Sequence, residues 1–192
     1  LYQLTIEDGT PFAALHRAGK LIVPEDEVAR ALWDVTQETT FEAGLPSYEV
    51  SNHARPGAES RHNLLYWRYG EYAGLGPGAH GRLDTPEGRV ATSTERGPED
   101  WVARVERAGH GVVVDERLTR AEQADEYLLM GLRLTEGIDR ARFARLAGRD
   151  LDAGRVAALI GEAMIEELPG ERLRATAVGL PVLDAIVADL AA

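Results

Sequence analysis

The sequence of 192 residues contains no cysteine. This absence excludes disulfide bonds, a thiolate nucleophile and ligation of an iron–sulfur cluster by this chain. Any redox chemistry in which the chain takes part must therefore be supplied by another component.

Basic side chains are also scarce, because 21 lysine and arginine residues stand against 32 acidic residues and give a formal net charge of −11. Such a chain repels nucleic acid unless a basic face is segregated from the acids. Long hydrophobic runs are lacking too: no stretch approaches the roughly 20 apolar residues of a membrane span, and the first residues lack the layout of a signal peptide. We therefore expect a cytoplasmic protein with no nucleic-acid partner and no membrane insertion.

The first half of the sequence predicts the alternation of an α/β fold. Tyr2–Ile6 alternates as a strand does. The acidic residues behind Pro24 begin a helix that Gly44 ends, and Tyr48–Ser51 is a further short strand. In this β–α–β order the segment after the second strand lies at a strand's C-terminal end, where α/β proteins bind ligands. Because the chain opens on Leu1 and a strand, we expect it to be the C-terminal part of a longer polypeptide.

The second half is predicted to be mainly helical after a hairpin between Gly81 and Thr94. The predicted elements are a helix over 99–108, a helix from the capping box of Thr119 and Glu122 to about Leu134, helices over 140–146 and 153–168, a strand over 172–176 and a last helix to Leu190. The order helix, helix, strand, helix at the end resembles a winged helix. Acids are mixed among its arginines, which favours a structural or docking module over a DNA-binding one.

The most informative segment lies between Tyr48 and Gly81. It holds three of the five histidines and four of the six tyrosines, together with six glycines. Between Ser51 and Arg82 it carries four arginines and only two acids, so that it is locally positive. Aromatic, imidazole and guanidinium groups this close together predict a site for a flat, anionic ligand.

The glycine run of this segment admits two interpretations. Gly76–Gly81 formally matches the dinucleotide fingerprint G-x-G-x-x-G, but that fingerprint requires a helix to begin there. The turn-forming residues Asp84–Gly88 argue against such a helix. We therefore expect a strand end at which the backbone approaches a ligand or a neighbouring element closely.

Two further chemistries have little support from spacing. His53, His62 and His80 lack the helical pair spacing of a zinc site, and no cysteine assists them. Ser51 and Ser60 lack the strained turn that exposes a nucleophilic hydroxyl to a base.

The most distinctive cluster combines His62 with Asn63, Tyr66 and Trp67. A neutral imidazole can ligate haem iron, and an aromatic pair can lie against the macrocycle. Arg55, Arg61 or Arg68 can meet its propionates. From residue chemistry alone, a hydrogen-bonded structural histidine is the simpler explanation of His62.

Several runs resemble a known family in their order and spacing. They are Tyr2–Phe12, Tyr48–Asn52, Ser60-Arg61-His62-Asn63-x-x-Tyr66-Trp67 and Gly74-x-Gly76-Pro77-Gly78-Ala79-His80. These runs resemble the C-terminal half of radical-SAM proteins of the oxygen-independent coproporphyrinogen III oxidase-like family. Within that family, the intact H-N-x-x-Y-W signature is typical of the haem-chaperone branch, HemW.

The resemblance implies a fold and cofactors. The fold is an α/β unit, the C-terminal part of a partial (β/α) barrel, followed by a mainly helical, winged-helix-like domain. The implied division is barrel units with the ligand-binding segment over 1–85, a hairpin and connecting helix over 86–117, and the helical domain over 118–192. A 4Fe-4S cluster and S-adenosylmethionine belong to the parent protein only. The family's C-x-x-x-C-x-x-C loop for the cluster and its glycine-rich motif for S-adenosylmethionine lie upstream of this chain, so this chain alone generates no radical.

The resemblance also implies a function and its residues. The function is that of a haem chaperone, which binds haem and delivers it to acceptor proteins. The implied haem contacts are Arg61, His62, Asn63, Tyr66 and Trp67, with His62 as the ligand of the iron. The alternative is the substrate-binding half of a coproporphyrinogen III oxidase or dehydrogenase of porphyrin biosynthesis, which would bind a porphyrinogen. Whether the parent protein is an enzyme is open at this point.

Overall fold

The chain divides into two units, residues 1–59 and 60–192, in a computed structural model that describes residues 4–192. The first unit consists of two helices and a short antiparallel hairpin: α1 (Pro11–Arg17), α2 (Asp26–Glu42), β1 (Ser47–Glu49) and β2 (Asn52–His53). The predicted helix ahead of Gly44 is confirmed by α2. The α1 helix was not predicted, although Thr10 caps it by accepting a hydrogen bond from the Ala13 amide at 3.2 Å.

The predicted strand over Tyr2–Ile6 and the β–α–β unit built on it are not found. Tyr2 and Gln3 lie outside the described residues, and Leu4–Ile6 have no regular secondary structure. A strand forms only where its backbone groups pair with a neighbouring strand, and none among residues 4–192 pairs with Leu4–Ile6. Since β1 and β2 are antiparallel, the described part of this unit contains no parallel strand pair.

The first unit buries little apolar surface. Ala13 is the one buried apolar residue between residues 4 and 59. Val28, Leu32 and Val35, which lie on one face of α2 at helical spacing, are each more than half exposed. This face therefore has no covering element within the described residues of its own unit.

The second unit begins with a short helix and a three-stranded antiparallel sheet. Its first elements are α3 (Arg61–Trp67), β3 (His80–Thr85), β4 (Gly88–Thr94), α4 (Pro98–Ala108) and β5 (Val112–Arg117). The strands are ordered β3-β4-β5, and the antiparallel pair β3–β4 confirms the predicted hairpin. The helix predicted to end at Ala108 is confirmed by α4. β5 was not predicted, because its three valines are consecutive and show no alternation.

The glycine run lies in a turn directly before β3. No helix begins between residues 74 and 85 of the described chain, so the dinucleotide fingerprint lacks the element that it needs. A Cβ at Gly74 would overlap the carbonyl oxygen of His80, and a Cβ at Gly81 would lie 2.5 Å from Thr92 Oγ1. The glycines therefore permit the close approach of neighbouring backbone segments, as the sequence predicts.

Residues 118–192 combine four helices with three short strands. They are α5 (Arg120–Gly131), β6 (Ile138–Asp139), α6 (Arg140–Ala147), α7 (Ala153–Gly161), β7 (Ile165–Leu168), β8 (Arg172–Ala175) and α8 (Leu183–Ala191). The antiparallel strands are ordered β6-β8-β7. The predicted capping box is confirmed, because Thr119 Oγ1 accepts from the Glu122 amide and Glu122 Oε2 accepts from the Thr119 amide.

The predicted helix over 153–168 is wrong beyond Gly161. Ala163 has a φ of 56°, which ends the helix, and Ile165–Leu168 pairs with β8. Pro181 lies in a turn of 3₁₀ helix before α8 and does not interrupt it. The core of this unit is built from apolar residues of α5, α6, α8 and the sheet, among them Leu128, Ile138, Phe143, Leu173 and Leu190.

Candidate functional site

The five residues of the predicted binding cluster share one helix, α3 (Arg61–Trp67). Ser60 begins this helix, since its Oγ accepts a hydrogen bond from the Asn63 amide at 3.3 Å. Ser60 therefore has a structural role. Helical spacing then puts His62 and Tyr66 one turn apart on the same side.

An aromatic row continues from this side of the helix. The ring centroids of His62 and Tyr66 lie 4.8 Å apart with an interplanar angle of 82°. Tyr66 in turn contacts Tyr72 edge-on, at 4.4 Å between centroids. Burial raises the pKa of the Tyr72 hydroxyl above its usual value. The row therefore runs from an exposed imidazole to two half-buried phenol rings.

His62 itself is exposed and has no hydrogen-bond partner within residues 4–192. A structural histidine normally donates or accepts at one of its ring nitrogens. Both nitrogens of His62 are thus available to a ligand.

Trp67 is anchored on the other side of the helix. The guanidinium of Arg133 lies 4.4 Å from the centre of its ring, a cation–π contact. The indole Nε1 is buried and has no hydrogen-bond partner among the described residues. Trp67 therefore packs α3 against the segment that follows α5.

The arginines of the segment are in different electrostatic states. Arg68 pairs with Glu136 through two hydrogen bonds, of 2.9 and 2.7 Å, and this contact lowers the pKa of the Glu136 carboxyl. Arg82 pairs with Glu126 at 2.7 Å. Arg61 is exposed and has no ion pair within the described chain. The positive charge predicted for the segment is therefore neutralised at Arg68 and Arg82 and remains available at Arg61.

Beside α3 lies a polar network that the sequence did not predict. The Tyr69 hydroxyl donates to Glu126 Oε2 at 2.9 Å, and the same carboxylate accepts from the Arg82 guanidinium. Arg89 lies over the Tyr69 ring at 4.0 Å and donates to the Gly70 carbonyl at 2.7 Å. Burial, followed by the hydrogen bond to Glu126, raises the pKa of the Tyr69 hydroxyl.

We expect Tyr69→Phe to lower the free energy of unfolding by about 1–2 kcal/mol, because a partly buried charged acceptor loses a donor. The matched control is Tyr66→Phe, whose hydroxyl has no hydrogen-bond partner in the described structure, and its expected change is below about 0.5 kcal/mol. Urea unfolding followed by circular dichroism measures both. Equal losses in the two variants would contradict the role of the Tyr69–Glu126 bond.

The raised pKa of Tyr69 also gives a pH dependence. The folded protein keeps this proton at pH values at which the unfolded chain, with a phenol pKa of about 10, has lost it. This contribution to stability is therefore complete below about pH 10 and is lost as the pH rises further. Tyr69→Phe should make the alkaline fall of stability less steep.

The other histidines of the segment lie elsewhere. His53 lies on β2 of the first unit, its Nε2 is buried without a hydrogen-bond partner among residues 4–192, and desolvation lowers its pKa. His80 is exposed at the first position of β3. The described residues contain no group of three or more histidine and acidic side chains arranged to hold a metal ion.

No helix within residues 4–192 has both the length and the apolar character that a membrane crossing needs.

A family model and a solved structure are similar to parts of this chain. A model of the HemN C-terminal domain family matches residues 118–182, which include α5 to β8 and exclude α3. The coproporphyrinogen III oxidase HemN from Escherichia coli, described as a radical SAM enzyme, has a similar structure with a TM-score of 0.65 over 93% of this chain and 44% of that one. The sequence identity is 15%, so this similarity concerns the fold.

Similar curated sequences cover between 79% and 98% of this chain. Radical S-adenosyl methionine domain-containing protein 1, mitochondrial, of Danio rerio is 37% identical over 97% of this chain and 44% of its own length. Heme chaperone HemW of Mycobacterium tuberculosis is 33% identical over 98% of this chain and 46% of its own length. Heme chaperone HemW of Bacillus subtilis is 33% identical over 79% of this chain and 39% of its own length. The chain thus spans less than half the length of these relatives.

Proposed function

Because the chain belongs to the HemN-like radical-SAM family, we propose that it is the haem-binding C-terminal portion of a haem chaperone, which binds haem and passes it to acceptor proteins. The observation that carries this proposal is the state of His62. It is exposed, it has no hydrogen-bond partner in the described chain, and it lies one helical turn from Tyr66. A surface imidazole in this state is a suitable axial ligand for haem iron.

Each residue of the cluster has a distinct role in this proposal. His62 binds the iron, and the half-buried ring of Tyr66 beside it offers apolar surface to the macrocycle. Arg61, which has no ion pair in the described structure, meets a propionate. Asn63 and Trp67 complete the contact from partly buried positions, and the packing of Trp67 on Arg133 fixes the helix that carries them.

We extend the proposal to the architecture of the parent protein. The exposed face of Val28, Leu32 and Val35 supports a partial (β/α) barrel, in which helices bury such a face against strands. The element order helix, strand, helix, helix, strand, strand from α5 to β8 supports a winged-helix-like domain. The 4Fe-4S cluster and S-adenosylmethionine of the family then belong to residues outside this chain, which has no cysteine.

The proposal is tested by titrating the full-length protein with haem under reducing and anaerobic conditions and following the Soret band. A chaperone should give a saturable, red-shifted band and should lose it when an apoprotein acceptor is added. The same preparation, with its cluster reconstituted, is incubated with S-adenosylmethionine and coproporphyrinogen III. Decarboxylated product without saturable haem binding would favour the enzymatic alternative instead.

Arg61→Ala is expected to weaken haem binding by about 1 kcal/mol, or roughly fivefold in Kd, because a solvent-exposed charge pair contributes modestly. The loss should shrink as the salt concentration rises, since salt screens exposed charges. The control is Arg107→Ala on the outer side of α4, where the arginine is also exposed. An unchanged Kd in Arg61→Ala would contradict the proposed contact between Arg61 and a propionate. It would not affect the proposed role of His62 as the iron ligand.

A further inference from the structure

The two ends of α3 (Arg61–Trp67) are held very differently. At its start, Arg61 and His62 make no polar side-chain contact with any other described residue. Just past its end, the carbonyls of Arg68 and Tyr69 accept hydrogen bonds from the two terminal nitrogens of Arg142, at 2.7 and 2.9 Å. Arg142 lies on α6, more than seventy residues further along the chain.

A second contact holds the same end of the helix. The guanidinium of Arg68 pairs with both oxygens of the Glu136 carboxylate. The segment that carries Glu136 is itself fixed to β8, because Arg172 donates to the carbonyls of Glu136 and Gly137 at 2.7 and 2.6 Å. Residues of the C-terminal domain thus hold α3 from two directions.

Contacts with Asp139 and Tyr127 orient Arg142 towards α3. Its backbone amide donates to Asp139 Oδ1 at 2.8 Å, which places it in the first turn of α6. Its guanidinium lies over the Tyr127 ring at 4.9 Å, and this ring limits the directions that the side chain can take. The donor nitrogens are therefore preorganised towards the end of α3.

These contacts matter because α3 is too short to be stable alone. A helix of seven residues leaves its last carbonyls without internal partners, and helices below about 12 residues are marginal in water. Tyr69 has a φ of 52°, an unfavourable value for a residue with a Cβ, so the chain after the helix also needs external support.

We propose that Arg142 and Glu136 form a clamp that positions α3 for haem binding, so that the C-terminal domain sets the orientation of His62 and Arg61. Both are positioning residues and touch no ligand. The inference rests on the proposed function, because it assigns the ligand to the free end of the helix.

The test compares Arg142→Ala with Arg145→Ala in the full-length protein. Arg145 lies three residues further along α6, is exposed and makes no side-chain hydrogen bond or ion pair in the described structure. Arg142→Ala should raise the Kd for haem about tenfold and Arg145→Ala should leave it unchanged. At saturating haem, Arg142→Ala should show a mixture of histidine-ligated and unligated absorption spectra, whereas a residue that only stabilises the fold would leave the saturated spectrum intact.

Three further measurements distinguish the clamp from a simple loss of folding. Arg142→Lys, which keeps one charged donor group, should recover part of the affinity. Glu136→Gln should raise the Kd by a few-fold while circular dichroism stays unchanged, because the Glu136 side chain is 40% exposed. Amide hydrogen exchange of residues 64–70 without haem should be at least about tenfold faster in Arg142→Ala.

The outcomes separate the clamp from the function. A wild-type protein that does not bind haem, or that binds it equally well after His62→Ala, overturns both, and the titrations of these two proteins show this directly. Normal binding in the wild type, together with the same Kd, spectrum and exchange rates in Arg142→Ala, overturns the clamp alone.

Discussion

His62→Ala is expected to abolish most of the ligated Soret spectrum of the haem-loaded protein. Imidazole is the strongest iron ligand that the α3 segment offers, and no cysteine can substitute for it. The available state of both ring nitrogens, at the exposed start of the helix, is the structural reason for this expectation. Absorption spectroscopy during a haem titration of the full-length protein measures the effect.

The controls are two histidines outside the segment. His16→Ala, at the end of α1, and His110→Ala, before β5, should bind haem with an unchanged spectrum. A normal spectrum in His62→Ala would show that this histidine does not bind the iron. His53 and His80 would then be the remaining candidate ligands within the segment. Normal binding in all three single variants of these residues would remove the proposed mechanism.

Leu128→Ala is expected to lower the free energy of unfolding of the second unit by about 3 kcal/mol. Leu128 is 0% exposed in the core between α5 and its neighbours, so its truncation loses buried apolar surface and leaves a cavity. The next residue of the same helix provides the control: Leu129 is 44% exposed, and Leu129→Ala should cost less than about 1 kcal/mol.

Urea unfolding followed by far-ultraviolet circular dichroism measures the two leucine variants. Because the first unit has almost no core of its own, the second unit should be followed separately. Tryptophan fluorescence in a Trp33→Phe background does this, since the remaining Trp67 and Trp101 both lie in the second unit. Similar losses of unfolding free energy in both variants would contradict the burial of the Leu128 side of α5.

Local signals predicted much of the secondary structure. The acids in the first turn of α2 and the capping box of Thr119 and Glu122 act within one helical turn, so their effect can be seen in the sequence itself. β7 was predicted as helix because its residues are good helix formers, and only pairing with β8 makes them a strand. The strand predicted over Tyr2–Ile6 depended likewise on a neighbour that residues 4–192 do not supply.

The candidate site was predicted only in part. The spacing of His62, Asn63, Tyr66 and Trp67 could be recognised from the sequence, although the helix that carries them was not predicted. Its ion pairs could not be foreseen, since Glu136 lies 68 residues from Arg68 and Glu126 lies 44 residues from Arg82. Such pairings are decided by tertiary packing, which a residue pattern along the chain does not encode.

Because α3 is short, the H-N-x-x-Y-W signature should not adopt its helical structure outside this fold. A synthetic peptide of residues 60–70 would lack the carbonyl contacts of Arg142 and the packing of Trp67 on Arg133, and it would be largely unstructured. Grafting the signature onto another scaffold would transfer an imidazole without a fixed direction. In this protein the side chains of the signature are therefore oriented by contacts with residues that lie far downstream in the sequence.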